Sequence, residues 1–182
     1  MATTDPLNTE RLTLVSFTRQ MITAEYVSWL NDAEVVRFSE QRHLRHDRIS
    51  CLKYVRSFES GPNFLWAVLF RPDDSRHVGN ISAVVDLQNS RADVSILIGH
   101  KAMWGRGIGL EAWGEVCRFL LRDMKLRKVG AGTLEGNLAM RKIMEHSGMV
   151  EDGRRRKHSV VGGEEMDMIH AAFFRSPRNT GS

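Results

Sequence analysis

Three glycines in five positions, Gly105, Gly107 and Gly109, stand between a strand-like segment, Asp93 to Ile98, and a segment of helical periodicity from about Gly107 to Met124. This arrangement constrains the chain more than any other. Glycine lacks a Cβ, so it allows a tight turn and lets a ligand come close to the backbone. The first N–H groups of a helix have no partner within the helix, and its dipole puts partial positive charge there. A strand that runs through such a turn into a helix is an anion site. Arg106, inside the turn, adds a full charge and a fork that matches phosphate.

The spacing narrows the ligand. A dinucleotide loop needs G-x-G-x-x-G, and here the third glycine comes one residue early. A nucleoside-triphosphate loop ends in Gly-Lys-Ser/Thr, which Gly109-Leu110-Glu111 does not supply. A plain glycine-rich connection with no ligand stays open at this point.

The chain has 182 residues, enough for one domain with a substantial core. Hydrophobic content of 42% and charged content of 26% are those of an ordinary soluble protein. No stretch approaches the roughly 20 apolar residues of a membrane span. The polar opening Met1 to Thr9, with Asp5, does not read as a secretory signal. Cys51 and Cys117 lack metal-ligand spacing, so no metal is expected, and they read as thiols of a reducing compartment, the cytoplasm. The net charge of +4 suits an anionic ligand without indicating nucleic acid. The basic runs also lack interleaved aromatics, so direct nucleic-acid binding is not expected.

Alternation makes Arg11 to Phe17 the first strand. Thr18 would cap a helix from about Gln20 to Leu30, a short helix would follow over residues 31–38, and Asp47 would cap a third from about Arg48 to Glu59. Phe64 to Phe70, Val78 to Asp86 and Arg91 to Ile98 then read as an antiparallel meander. The helix behind the glycine turn carries Leu110, Trp113, Val116, Cys117, Leu120 and Leu121 on one face, with Trp113 in the core. Lys128 to Leu134 is a fifth strand. Asn137 opens a helix to about His146 that Gly148 ends, and residues 149–174 form a hairpin across Gly162-Gly163. The tail from about residue 175 is polar. The expected class is therefore α/β or α+β in three layers, with a mixed central sheet of about seven strands and helices on both faces, in a single domain over residues 1–182.

The glycine turn resembles the pyrophosphate loop of the GNAT acetyltransferase superfamily, Gln/Arg-x-x-Gly-x-Gly/Ala, with Trp104 in the Gln/Arg position. Trp-Gly-Arg-Gly is similar to the branch of ribosomal-protein (alanine/serine) N-terminal acetyltransferases. So is the opening Thr9-Glu10-Arg11-Leu12. A further signature, Asn137 to Met149, resembles the family's Asn-x-x-Ser-x-x-x-x-Glu-Lys-x-Gly-Phe, with Met140, His146 and Met149 as departures. Together the likeness spans nearly the whole chain.

The resemblance implies acetyl-CoA as acyl donor, lying where the fourth and fifth strands splay apart. Backbone N–H groups of Gly105, Arg106, Gly107, Ile108, Gly109 and Leu110 would hold its pyrophosphate. Backbone groups around Leu97 and Ile98 would pair with the pantetheine arm. Asn137 would sit near the thioester or the pantetheine, and reads equally as a helix N-cap. A neutral primary amine would attack the thioester carbonyl directly, so a base must take its proton. Asp93 and Glu135 are the candidate bases, each also readable as a solvated carboxylate, and His100 is a candidate relay. Many members place a Tyr acid where this chain has Met144, and methionine cannot donate a proton.

The segment from Gln20 to Glu59 would form the acceptor wall. Trp29-Leu30-Asn31-Asp32 resembles a pattern found both in N-terminal acetyltransferases and in acetyltransferases of nucleotide-linked amino sugars. The implied acceptor is a protein N-terminal amine, with the amino sugar as alternative. Arg42, His43, Arg45, His46 and Arg48 could hold a sugar nucleotide's phosphates or form a solvated connection. Arg154 to His158 could meet the adenosine 3′-phosphate or an acidic partner, or be a charged turn. A non-catalytic acyl-CoA sensor is the reading of another class. Monomer and homodimer both fit.

Overall fold

A computed structural model describes residues 2–175 of the chain. The expected polar tail beyond residue 175 lies outside the described residues. One mixed sheet of eight strands forms the centre. Its strands are β1 (Leu7–Asn8), β2 (Leu12–Ser16), β3 (Phe64–Phe70), β4 (Arg76–Asp86), β5 (Arg91–Ile98), β6 (Lys128–Leu134), β7 (Val150–Val161) and β8 (Glu164–Phe174). Their order across the sheet is β1-β2-β3-β4-β5-β6-β8-β7. The strand beyond the expected seven is β1, whose two residues are too few to show alternation.

β3 explains why the sheet needs cover on both faces. Its sequence Phe-Leu-Trp-Ala-Val-Leu-Phe is apolar without a break, as in a strand buried on both sides. Phe64, Trp66, Val68 and Phe70 join one core, and Leu65 and Ala67 join the other. The first core is covered by α3 (Ile108–Arg118), which buries Ile108, Trp113, Val116 and Cys117, and by α4 (Leu138–His146), which buries Met144. The second is covered by α1 (Ala24–Leu30) and α2 (Arg48–Ser57), through Tyr26, Trp29, Leu30, Cys51 and Val55. Helix, sheet and helix make the three layers.

Three helix boundaries differ from expectation. α1 starts after Thr23, whose side chain accepts from the Tyr26 N–H, and not after Thr18. The Arg48 guanidinium takes the Ile22 carbonyl at 2.8 Å, so residues 19–21 form only a 3-10 turn. Residues 31–38 form turns: Asp32 caps a single helical turn, its Oδ1 accepting the Glu34 and Val35 N–H groups and its carbonyl the Val36 N–H, and the ladder ends where the Ser39 N–H bonds the Val36 carbonyl. α3 ends at Arg118, and Phe119–Asp123 continues as a π-helical turn. α2 has its expected Asp47 cap, reinforced by a reciprocal bond from Ser50.

The sheet opens between β5 and β6. β5 pairs with β4 along its whole length, from Asp86–Arg91 to Gly79–Ile98. With β6 it makes only three parallel pairs, Arg91–Lys128, Ala92–Val129 and Asp93–Gly130. Beyond Asp93 and Gly130 the strands separate, as expected for the fourth and fifth long strands. The free edge of β5 from Val94 to Ile98 faces the split.

Candidate functional site

Two helix N-termini converge on this split, because β5 leads into α3 and β6 into α4. In an open α/β sheet the place beyond the carboxyl ends of parallel strands is where ligands bind. Gly105 and Gly107 have φ of 71° and 78°, a region that costs an L side chain strain, and Gly107 is the N-cap of α3. The first backbone N–H to find an intrahelical carbonyl is that of Glu111, bonded to Gly107. Among the described residues, none of the hydrogen bonds uses the N–H of Gly105, Arg106, Gly107, Ile108, Gly109 or Leu110. The six residues expected to hold a pyrophosphate thus carry a run of unspent donors. Gly109 also lets α4 approach, since a Cβ there would stand 3.0 Å from Ile143 Cδ1.

The loop is braced from outside. Arg11 donates from its guanidinium to the Arg106 carbonyl at 3.0 Å and pairs with Glu111 at 2.7 Å. Glu111 also accepts the Thr9 hydroxyl (2.5 Å) and the Arg11 backbone N–H (2.8 Å). Burial alone would raise the pKa of Glu111, but these donors more than offset it and hold the carboxyl below the usual glutamate range. The Arg106 guanidinium lies over the Phe70 ring, 5.3 Å from its centroid, with one nitrogen 3.3 Å from Met103 Sδ. The Trp104 indole donates to the Ile98 carbonyl at 2.7 Å. Of the two pantetheine-facing residues expected, Ile98 therefore offers a carbonyl that already serves one donor. Leu97 faces the α1–α2 layer.

Asn137 caps α4: its side-chain oxygen accepts from the Met140 N–H at 3.2 Å. Asp93 is the last paired residue of β5 and marks where the strands part. Its carboxylate is 62% exposed and bonds Arg91 at 3.1 Å. Glu135 follows β6, five residues beyond the Gly130 that pairs with Asp93, and its carboxylate turns toward β8 and β7. Its Oε1 accepts the Asp167 N–H at 3.0 Å, and its Oε2 lies 3.6 Å from Arg154. His100 donates its backbone N–H to Val78 and precedes a 3-10 turn. Met144 is buried in the core beneath α4.

A cleft of about 430 Å³ approaches β5 from the α1–α2 side. Ser95, Ile96 and Leu97 form its floor together with Asn80 and Ser82 of β4. Both tyrosines of the chain, Tyr26 and Tyr54, line it, as does His46. The cationic cluster read from the sequence is dispersed. Arg42 donates to the Ser39 carbonyl and to Glu40, Arg48 is bound to Ile22, and His46 lines the cleft. In the second basic run, Arg154 bonds Asp167 and Lys157 pairs with Glu165. A second groove of about 370 Å³ runs between α3 and α4, past Leu110, Gly114, Cys117 and His146.

A gap in the sheet, an unspent N–H run at one side and a polar cleft at the other can hold an anionic donor and an acceptor on opposite faces of one strand. The profile of the acetyltransferase (GNAT) domain family matches residues 11–150. The chain belongs to that family. Acetyl-CoA-dependent N-acetylation is the family's reaction. The Bacillus subtilis protein named "Probable N-acetyltransferase YjcK" is 24% identical over 132 residues, 71% of this chain and 71% of that protein. Among solved structures, RimL, a ribosomal L7/L12 α-N-protein acetyltransferase in complex with coenzyme A, superposes with a TM-score of 0.82 at 13% identity, over 93% of this chain and 98% of that one. A GNAT-family acetyltransferase from Bacillus anthracis gives 0.76 at 19% identity, over 93% and 98%. At these identities the two superpositions bear on the fold. Among the described residues, no helix is long and apolar enough to cross a membrane.

Two features of the site have little local signature in the sequence. The Thr9-Glu10-Arg11 opening acts as a brace for the glycine turn, and its signal was only that the motif recurs in the branch. Trp104 acts as a donor to the end of β5, and its indole at the Gln/Arg position of the loop was the one available sign.

Proposed function

We propose that this chain transfers the acetyl group of acetyl-CoA to the primary amine at a protein N-terminus, in the cytoplasm. The observation that carries the reading is the split after Asp93 and Gly130, with the unspent N–H run from Gly105 to Leu110 at its head. Those donors and the positive end of α3 suit a pyrophosphate. The free edge of β5 near Leu97 and Ile98 offers main-chain groups to an amide-bearing arm, as an added strand would take them. Asn137 fixes the start of α4 against the same gap.

The acceptor amine must lose a proton as its lone pair attacks the thioester carbonyl. The C–S bond then breaks, and the thiolate takes up a proton. Asp93, at the closed end of the split, and Glu135, just past the end of β6, are the bases assigned by this reading. Glu135 shares its oxygens with Asp167 and Arg154, so it is held in place. An N-terminal amine is the acceptor of RimL, which shares this fold, and is the acceptor adopted in this reading. The nucleotide-linked amino sugar is disfavoured because Arg42 and Arg48 already serve carbonyl groups of the chain.

The test is thiol release from acetyl-CoA across peptides starting in Ser, Thr or Ala, amino-sugar nucleotides, polyamines and free amino acids. The expected result is release with peptides. Release with sugar nucleotides alone would replace the acceptor class. No release with any acceptor, with acetyl-CoA still raising the melting temperature, would favour the sensor.

A further inference from the structure

The lining of the 430 Å³ cleft is unusual in what it carries. Hydroxyl groups come from Ser39, Ser57, Ser82, Ser95, Tyr26 and Tyr54, and amides from Gln41, Asn63 and Asn80. Among the described residues, no Asp, Glu, Lys or Arg lines it. Its one imidazole is His46, whose Nε2 is buried and has no hydrogen-bond partner. A buried polar nitrogen without a partner costs free energy, and a ligand group that pairs with it when the ring turns toward the cleft removes that cost.

His46 is also held firmly. Asn31 clamps its backbone in both directions: Asn31 Oδ1 accepts the His46 N–H at 2.9 Å, and Asn31 Nδ2 donates to the His46 carbonyl at 2.8 Å. Asn31 Nδ2 also donates to the Val27 carbonyl of α1 at 2.9 Å. The neighbouring Asp32 pairs with Lys101, just beyond β5, at 2.7 Å. The His46 backbone is therefore tied to α1 and, through Asp32 and Lys101, to the segment that follows β5.

Resting on the reading of the site given above, we infer that His46 is a specificity-determining residue. Its Nε2 hydrogen-bonds an uncharged polar group, a hydroxyl or an amide, next to the reacting amine of the acceptor. Asn31 is its positioning residue. The cleft lacks a carboxylate to meet the extra ammonium groups of a polyamine. It lacks a guanidinium or ammonium to meet a sugar nucleotide's phosphates. A short peptide that begins with serine or threonine presents both a hydroxyl and a backbone amide within one residue of its amine. That chemistry fits the lining, and binding of this kind rejects an analogue that leaves the site's polar atom unpaired.

The experiment measures binding and turnover separately. Peptides starting in Ser or Ala, spermidine and an amino-sugar nucleotide are titrated by calorimetry into the coenzyme A-saturated protein, as wild type, His46→Ala and His46→Gln. The same acceptors are then assayed with acetyl-CoA. The expected result is that the Ser peptide binds wild type most tightly and that His46→Ala weakens it about tenfold. Gln should restore part of the affinity, KM should rise with kcat nearly kept, and coenzyme A affinity should not change. Equal peptide affinity in wild type and His46→Ala, with coenzyme A binding intact, overturns the inference. So does preferred binding of spermidine or the sugar nucleotide, or no binding of any peptide. Peptide binding that depends on His46 without turnover would keep the inference and remove the proposed transferase activity.

Discussion

Arg11 and Glu111, one hundred positions apart, form a 2.7 Å ion pair that fastens the edge of the sheet to the first turn of α3. The same guanidinium holds the Arg106 carbonyl inside the glycine turn. With that carbonyl fixed, the peptide plane between Arg106 and Gly107 is held, and with it the Gly107 N–H. Arg11→Ala is expected to raise the KM for acetyl-CoA about tenfold, corresponding to one charge-assisted hydrogen bond of about 1.5 kcal/mol. The acceptor KM should stay the same. Steady-state kinetics with each substrate varied in turn checks this, and a change confined to the acceptor KM would contradict the brace.

The brace also has a pH signature. The Glu111 carboxyl is held below its usual range in the folded protein, so it contributes stability that is fully present above the unfolded value of about 4.3. That contribution is lost as pH falls through the lower folded value. Glu111→Gln should thus be less stable than wild type at pH 7, with the gap narrowing as pH drops below about 4. Melting temperatures of both proteins from pH 7 to pH 3 measure it. A gap of constant size across that range would mean that charge is not what Glu111 contributes.

Gly107 tests the loop itself. At a φ of 78° a β-branched residue is strained by about 1–3 kcal/mol, whereas asparagine visits this region more readily. A Cβ there would stand 3.5 Å from the Arg11 guanidinium, so space is not the obstacle. Gly107→Val is expected to abolish stabilisation by acetyl-CoA, and Gly107→Asn to retain part of it. A thermal melt with and without acetyl-CoA reports both. Equal binding by the two variants would show that backbone conformation at this position does not set affinity.

The parts of this protein that were legible in its sequence are those written in local grammar. The glycine turn, the Asn137 cap and the Asp47 cap depend on residues within four positions of one another, and each is found where the residue types place it. The strand-like segments β3 to β5 and the short turns between them point to the antiparallel meander that is found. What escaped depends on distant partners. Nothing near Thr18 marks it as a worse cap than Thr23; Arg48 decides that by taking the Ile22 carbonyl from 26 positions away. Likewise, His46 sits among basic residues in the sequence, and only its backbone clamp to Asn31, 15 positions back, accompanies its place in the lining of the cleft.

Gly99 joins the two halves of the site. It follows β5, and the Trp29 indole packs directly on its Cα, where any Cβ would overlap the ring. Trp29 belongs to α1, which also carries Tyr26 and Leu30 into the acceptor cleft. Gly99→Ala must push α1 away from the sheet or rotate the indole out of its packed position. The expected cost is about 1–3 kcal/mol, read as a lower denaturation midpoint with an unchanged slope. Because α1 forms one wall of the cleft, the acceptor KM should rise as well, with acetyl-CoA binding nearly kept. Trp29→Leu removes the obstructing ring, so adding Gly99→Ala to that variant should cost much less than adding it to wild type. The two changes would then couple by about 1 kcal/mol or more in a double-mutant cycle. Additive effects would place the strain at the end of β5 instead, against its own backbone, and separate the cleft from the strand it borders.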